Sequence, residues 1–533
     1  METTSSAQFP PGTVTIEDLT RNKLILQPRP SDDPEQPLNW SGARKTINFA
    51  LVTAYSLMTF VVLDIGTVVW GPMNTQLGIS YTIMDYGFAI NCAGLALGCI
   101  VLVPLAIICG RRPVYLVSTL GQIAGTVWSA RTFTAGDLIG SNVVTGVAGA
   151  ISESIVQMTV VDLFFVHQRA RMNAIYILAV NTGSFLAPVA AGYCADSQGW
   201  RWIWWWTVII FGIVFFLMLF GYEETKYTPR VPSLQASSAE QSDVEEVQSK
   251  EVSATKGVSS TTANPGTSDT SEHGDYPRKS IRERYSLLTL TPGGSRPFLG
   301  LVWDFAALLQ YPAVVYTALM WGSCLTFFSV LLTTLSTYMT LPPYNFTTSG
   351  IGLMSLPPFI GGLLALFVSA SNDWIILKLA ERNGGVFEPE MRLWLALIGV
   401  VITPAGLLLF GLSMAEGKPW IIPCIGSALY GFGFSIIGDA SLTYLQDCYA
   451  EVIGDALVAV TFVRNALATM VVFALTPWIN SMGLYDMFIC AACIAWAMYG
   501  LTIPMLIWGR TWRVQTAARY RRHILRSGIH API

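Results

Sequence analysis

Pro229-Arg-Val-Pro-Ser-Leu-Gln-Ala-Ser-Ser-Ala-Glu240 and, further on, Ser280-Ile-Arg-Glu-Arg284 belong to one hydrophilic stretch from Tyr222 to Pro312. It is crowded with Ser, Thr, Glu, Lys and Pro. Almost nothing in it can build a core, so it reads as a disordered linker. On either side lies a long block of apolar runs separated by short polar breaks. The chain therefore divides into two similar hydrophobic halves joined by a polar middle.

A soluble chain of 533 residues would form about three or four domains. This one is 52% hydrophobic and only 12% charged, with a mean hydropathy of +0.50. Its apolar runs exceed the roughly 18 residues that mark a membrane span. The net charge of −3 comes with no basic stripe or stacking platform, so no nucleic-acid partner is expected. Nine cysteines are scattered, nearly all inside apolar runs. Cys490 and Cys493 form a C-x-x-C within a would-be span, with no His or further Cys nearby. A packing role is expected there rather than metal or redox chemistry, and no cofactor is implied. Met1 to Ser41 is polar and proline-rich without an apolar stretch, so the first span is expected to serve as the insertion signal.

The expected organisation is an N-terminal tail (1–45), six spans (46–221), the linker (222–312), six more spans (313–509) and a C-terminal tail (510–533). Spans 1 to 6 fall at 46–70, 85–109, 113–130, 138–165, 172–195 and 200–221. Spans 7 to 12 fall at 313–339, 350–371, 393–414, 420–446, 455–479 and 484–509. Each is long enough to cross ~30 Å of hydrocarbon as a helix. With the N-terminus cytoplasmic, the inner short loops carry Arg111, Arg112, Arg169, Arg171, Lys378, Arg382 and Arg392. The outer loops carry only Arg131, Arg201 and Lys418. Positive residues gather on the cytoplasmic side, which supports both termini inside. Asn345-Phe346-Thr347, a glycosylation sequon at Asn345, then lies outside.

Two inner loops occupy matching places in the two halves. One carries Gly110-Arg111-Arg112-Pro113-Val-Tyr115, and the other Asp373-Trp374, Arg382 and Glu388-Pro-Glu390-Met-Arg392-Leu393. Glycine permits a tight turn between helices. Arginines beside it can bridge to carboxylates or helix C-termini and hold the inner face shut.

With Pro37-Leu-Asn-Trp40, Asp162-Leu-Phe-Phe-Val-His167, Gly183-x4-Pro188-x3-Gly192, Gly199-Trp-Arg-Trp202 and Glu223-Glu-Thr225, these pieces resemble the major facilitator superfamily. The nearest branch is that of fungal twelve-span drug:proton antiporters, over residues 33–510. The resemblance implies an all-α integral membrane fold of twelve transmembrane helices in two six-helix bundles, each made of inverted three-helix repeats. It also implies alternating access and no enzymatic activity. The chain departs from the family pattern in three places, one being the span 5 motif, where Gly183, Pro188 and Gly192 match but the doubled Gly does not. Ile107 stands where the first inner loop carries an Asp, and Asn142 stands where antiporters carry an Arg in span 4.

Charges within spans are costly in lipid and face a cavity or a partner. Asp64 in span 1 shares a polar stripe with Thr53, Ser56, Thr67 and Gly71; it lines a cavity or is wetted near the outer end. Glu153 lies mid-span 4, on the face of Gly146 and Gly149. Those glycines let a helix approach or leave room for a ligand. Asp439 in span 10 and Arg464 in span 11 form an ion pair or contact substrate. Asn181 in span 5 completes the substrate- and proton-contacting set of Asp64, Glu153 and Asp439. The expected gating set is Gly110, Arg111, Arg112, Asp162, Asp373, Arg382, Arg392 and Arg464. Asp162, with His167 and Arg169, forms an inner-face network or a proton relay. Trp200, Trp202, Trp204, Trp205 and Trp206 are expected to anchor span 6 at the outer interface.

The function expected is secondary active transport of a small organic molecule: proton-coupled efflux of a secondary metabolite, toxin or drug, by a monomer in the plasma membrane. Glu153 and Asp64 could exchange a proton for substrate, since a low-dielectric site favours a neutral carboxyl. One alternative is proton-coupled uptake of organic cations such as polyamines, which acidic cavity residues would suit. Another is a non-transporting membrane sensor with the linker as its arm. No His/Glu metal spacing or Ser/His/Asp arrangement favours an intramembrane enzyme.

Overall fold

A computed structural model of the protein describes residues 11–15, 36–226, 284, 298–449 and 452–527. It is built from long helices. In hydrocarbon every backbone N–H and C=O must be satisfied within its own segment, and a helix does that. Among the described residues, ten helices are long and apolar enough to cross a membrane. They are Gly42–Val68 (span 1), Tyr81–Cys109 (span 2), Ala135–Leu163 (span 4), Met172–Gln198 (span 5), Arg201–Gly221 (span 6), Pro312–Tyr338 (span 7), Thr348–Ser369 (span 8), Pro389–Ala415 (span 9), Ile421–Cys448 (span 10) and Ile453–Arg522. The last holds spans 11 and 12, which meet at Gly483 with φ 81° and ψ 164°. Span 3 is Arg111–Ala130, more polar because Ser118, Thr119, Gln122 and Thr126 are buried against its neighbours. With it the architecture accounts for the expected twelve.

The solvent logic of a soluble protein is inverted. Phe220, Phe367 and Ile213 point outward, whereas Gln122, Gln157, Glu153, Arg464 and Asn465 are buried. Apolar side chains facing lipid and polar ones facing the bundle interior are what the bilayer selects. Where helices pack most closely, glycine is the contact. A Cβ on Gly146 would lie 2.4 Å from the Asn91 carbonyl oxygen. Gly146 therefore serves close approach of spans 4 and 2 rather than room for a ligand.

Three expectations change at the edges. The segment read as a linker is structured at both ends. Tyr222–Lys226 folds back onto the first half, and a helix at Phe298–Leu308 buries Leu301, Phe305 and Leu308. Residues 227–283, read as its disordered centre, lie outside the described residues. The tails also pack. Val14–Thr15 (β1) pairs antiparallel with Val386–Phe387 (β2), and the last helix continues to Ser527 with Arg513 fully buried. In the tryptophan run, Trp202 and Trp206 are exposed as anchors would be. Trp200 and Trp204 are buried, and the Trp200 indole donates to Gln76 Oε1 at 2.8 Å. Helical periodicity splits such a run between lipid and core.

Candidate functional site

Glu153 and Arg464 meet at the centre of the molecule, between the halves. Glu153 projects from the second helical segment of span 4, Ile151–Leu163, and is 1% exposed; Arg464 projects from span 11 and is 4% exposed. The Arg464 guanidinium donates to Glu153 Oε1 as an ion pair, and Asn465 Nδ2 donates to Glu153 Oε2 at 2.7 Å. Arg464 also lies over the Trp321 ring of span 7, 4.5 Å from its centroid, a contact that is strengthened by desolvation. A buried pair breaks even with water only when its remaining donors and acceptors are also met. Here Arg464 Nε and Asn465 Oδ1 stay unpartnered. Beside Glu153 a narrow cavity of about 10 Å³ is lined by Thr59, Asn91, Gln122, Thr145 and Ser152. It could hold about one water.

Asp64 is 1% exposed, and neither carboxylate oxygen has a hydrogen-bond partner. It is a buried member of the bundle core, not a wetted outer residue. The Ser184 hydroxyl faces it from span 5, within the π-helical turn Thr182–Leu186. Such a turn leaves backbone and side chains re-aimed, and π-turns recur at functional sites. Asn181 precedes that turn and is buried; with Ser435 of span 10 it flanks Gly362 of span 8. Asp439 is half-buried one turn beyond Ser435, whose hydroxyl is unpartnered. The pairing of Asp439 with Arg464 is not what forms. Arg464 gives its charge to Glu153, because span 11 faces span 4 at this depth.

The face that carries the chain termini (the terminal face) holds ion pairs on both halves. In the first half, Gly110 with φ 104° turns the chain into span 3. The Glu224 carboxylate accepts the Arg111 and Arg112 backbone N–H groups, each at 3.0 Å. This places a negative charge on a helix N-terminus, where the helix dipole favours it. Arg111 grips Asp162 with Nε–Oδ2 at 2.5 Å and Nη2–Oδ1 at 3.2 Å. Arg112 donates to the Leu219 carbonyl at 2.6 Å, and Arg44 pairs with Glu223 at 2.5 Å. Lys226 Nζ reaches the Ile108 carbonyl at 3.0 Å. Its partial burial pulls the ammonium below its usual range, against the pull of Glu224.

In the second half, Arg513 holds Glu390 through Nε at 2.8 Å and Nη2 at 2.6 Å. Arg392 pairs with Asp447, and Arg510 with Glu388 at 3.2 Å. Arg382 is exposed at the end of helix Asn372–Arg382 and joins no ion pair among the described residues. The side chains of Asp373, His167 and Arg169 lie outside the described residues.

On the opposite face the halves are hydrogen-bonded to each other. Thr476 Oγ1 donates to Asp85 Oδ2 at 2.7 Å, the Ser349 N–H donates to Asp196 Oδ2 at 2.9 Å, and Tyr81 and Thr340 hydroxyls are 3.2 Å apart. Among the described residues, the terminal-face ion pairs each stay within one half. The halves come near each other there: a Cβ on Gly454 would lie 3.4 Å from Met158 Cγ. Asn345, the sequon residue, is exposed on the opposite face. Sequence reasoning missed Asp85, Asn465 and Trp321. Asp85 marked only the start of a span, and Trp321 resembles any apolar span residue.

The Major Facilitator Superfamily model matches residues 49–473. An uncharacterized MFS-type transporter of Schizosaccharomyces pombe is 33% identical over 93% of this chain and 89% of its own length. Protein HOL1 of Saccharomyces cerevisiae is 27% identical over 96% of this chain and 94% of its own. The efflux pump radE of Floropilus chiversii is 27% identical over 92% and 84%. Among solved structures, the proton:xylose symporter XylE bound to 6-bromo-6-deoxy-D-glucose aligns with a TM-score of 0.54 at 13% identity, covering 86% of this chain and 95% of XylE. With the geometry above, these likenesses place the chain: it belongs to the major facilitator superfamily and is a multi-pass membrane transporter of small molecules, not an enzyme.

Proposed function

We propose that the protein is a proton-coupled secondary transporter that exports a small organic molecule by alternating access. The observation that carries this reading is the Glu153–Arg464–Asn465 cluster, which spans the two halves at the buried centre. Cargo entering from the terminal face competes for the Glu153–Arg464 pair and releases one half from the other. Rocking of the halves then closes the terminal face and breaks the Asp85–Thr476 and Asp196–Ser349 bonds on the opposite face, from which a proton reaches Glu153 and accompanies the return, so that proton entry drives export. Asp64, buried and unpartnered, is the second proton site. The Arg111–Asp162, Arg392–Asp447 and Arg513–Glu390 pairs keep each bundle rigid as it moves. Efflux draws on the likeness to a relative named as an efflux pump. The terminal face is cytoplasmic by its basic residues, and the plasma membrane is the site of action.

A second reading is proton-coupled uptake of organic cations. The observation that favours it is the acid surplus at the centre: Glu153 is neutralised by Arg464, while Asp64 joins no ion pair among the described residues. An unpaired carboxylate at that depth suits a cationic cargo as well as a proton. The two readings part in a host stripped of its own exporters. Cellular retention of neutral metabolites, putrescine and tetraphenylphosphonium is compared with and without a proton gradient. Gradient-dependent loss of one class, abolished by Glu153→Gln, supports efflux. Gradient-dependent gain of the cations, abolished by Asp64→Asn, supports uptake. Indifference of every compound to both variants contradicts the proposal.

A further inference from the structure

The N-terminal segment Pro11-Gly-Thr-Val-Thr15 lies on the terminal face of the second half, although its own chain runs on into span 1 of the first half. Three separate contacts hold it. Arg513 Nη1 donates to the Pro11 carbonyl at 2.5 Å and to Thr13 Oγ1 at 3.3 Å. Arg513 is 1% exposed and spends its remaining donors on Glu390, so the tail completes the coordination of a buried charge. Gly12, with φ +85°, lies so close to the end of span 10 that a Cβ would sit 2.5 Å from the Asp447 carbonyl oxygen and 3.1 Å from the Cys448 Cα. Only glycine meets both demands. Val14 and Thr15 then pair with Phe387 and Val386, adding a strand to the loop between spans 8 and 9. Main-chain pairing to an exposed edge is a recurrent way to hold an extended peptide.

We propose that Pro11–Thr15 is a tethered regulatory ligand. While docked, it fastens the loop between spans 8 and 9, the end of span 10 and the helix after span 12 into one block, and so restrains the terminal face of the second half. These are the elements that carry Glu390, Arg392, Asp447 and Arg513. All of them lie within the second half, so docking stiffens the terminal end of that bundle as it moves against the first half. The docking segment and the face it holds are joined through span 1 and the first half, so the tail is at high local concentration and release is reversible. The docking stands without any reading of cargo or coupling ion. The restraint rests on the rocking of bundles proposed above.

The test uses the full-length protein in detergent, with Gly12→Val and, as a second variant that cannot be dismissed as misfolding of the tail, deletion of residues 1–18. Hydrogen exchange at the Val386 and Phe387 amides reports docking. Alkylation of native Cys448 by N-ethylmaleimide, read by mass spectrometry against Cys109 on the first half, reports restraint. Both variants are expected to speed exchange at Val386–Phe387 by about tenfold or more and to speed Cys448 alkylation selectively, as local opening becomes easier. A synthetic peptide covering residues 8–18, added to the deletion protein, is expected to restore both. Unchanged exchange overturns the docking. Faster exchange with unchanged Cys448 alkylation overturns the restraint.

Discussion

In the first half, the basic loop after span 2 receives its acids from elsewhere: Asp162 at the end of span 4 and Glu224 after span 6. In the second half the loop before span 9 carries the acids itself, Glu388 and Glu390, and the bases arrive from after span 12 as Arg510 and Arg513. The Arg392–Asp447 pair repeats the Arg111–Asp162 arrangement, whereas the Glu388–Arg510 and Glu390–Arg513 pairs exchange its signs. Burial differs too. Side-chain exposure is 1% and 7% for Arg513 and Glu390, against 25% and 12% for Arg44 and Glu223. Both networks stay within one bundle, whereas the central pair takes its acid from the first half and its base from the second. Pairs inside a bundle serve rigidity, and the pair between bundles is the one that movement must break.

Three substitutions sharpen this contrast, measured as thermal stability of the purified protein. Arg513→Ala leaves Glu390 buried without its cation and is expected to cost about 3–5 kcal/mol. Glu224→Gln keeps the shape but removes the charge from two helix N–H groups, at about 1.5–3 kcal/mol. Arg44→Ala, at a half-exposed pair, is expected to cost about 1 kcal/mol or less. Equal losses for Arg513→Ala and Arg44→Ala would remove the distinction between the two networks.

Much of the fold was legible because lipid imposes a long apolar helix on every crossing, and loops break those runs visibly. Span 3 and the span 11–12 junction were legible for the same reason, although span 3 hides buried hydroxyls and Gln122 among its apolar residues. Glu153, Arg111, Asp162 and Arg464 stood out as charges where charge is costly. Their partners did not. Glu153 and Arg464 are 311 residues apart, and no local pattern encodes which helix faces which across the bundle interface. Asp439 was an equally good partner on sequence depth alone. The docked tail left no trace either, since a two-residue strand has no period and its stabilising contact comes from Arg513, 502 residues away. Arg513 itself is one of several basic residues after span 12. Glu224 belonged to a recurring Glu-Glu-Thr piece, but its role as a helix cap depends on how the chain folds back after span 6.

The central claim is that Glu153 links proton binding to separation of the halves. Its most direct test is Glu153→Gln in proteoliposomes, with the compound selected by the retention panel and an imposed proton gradient. The account predicts that the variant loses gradient-driven accumulation yet still exchanges labelled for unlabelled compound across the membrane, because a neutral side chain leaves the halves free to rock. Accumulation at the wild-type rate would contradict it and place the coupling elsewhere in the molecule.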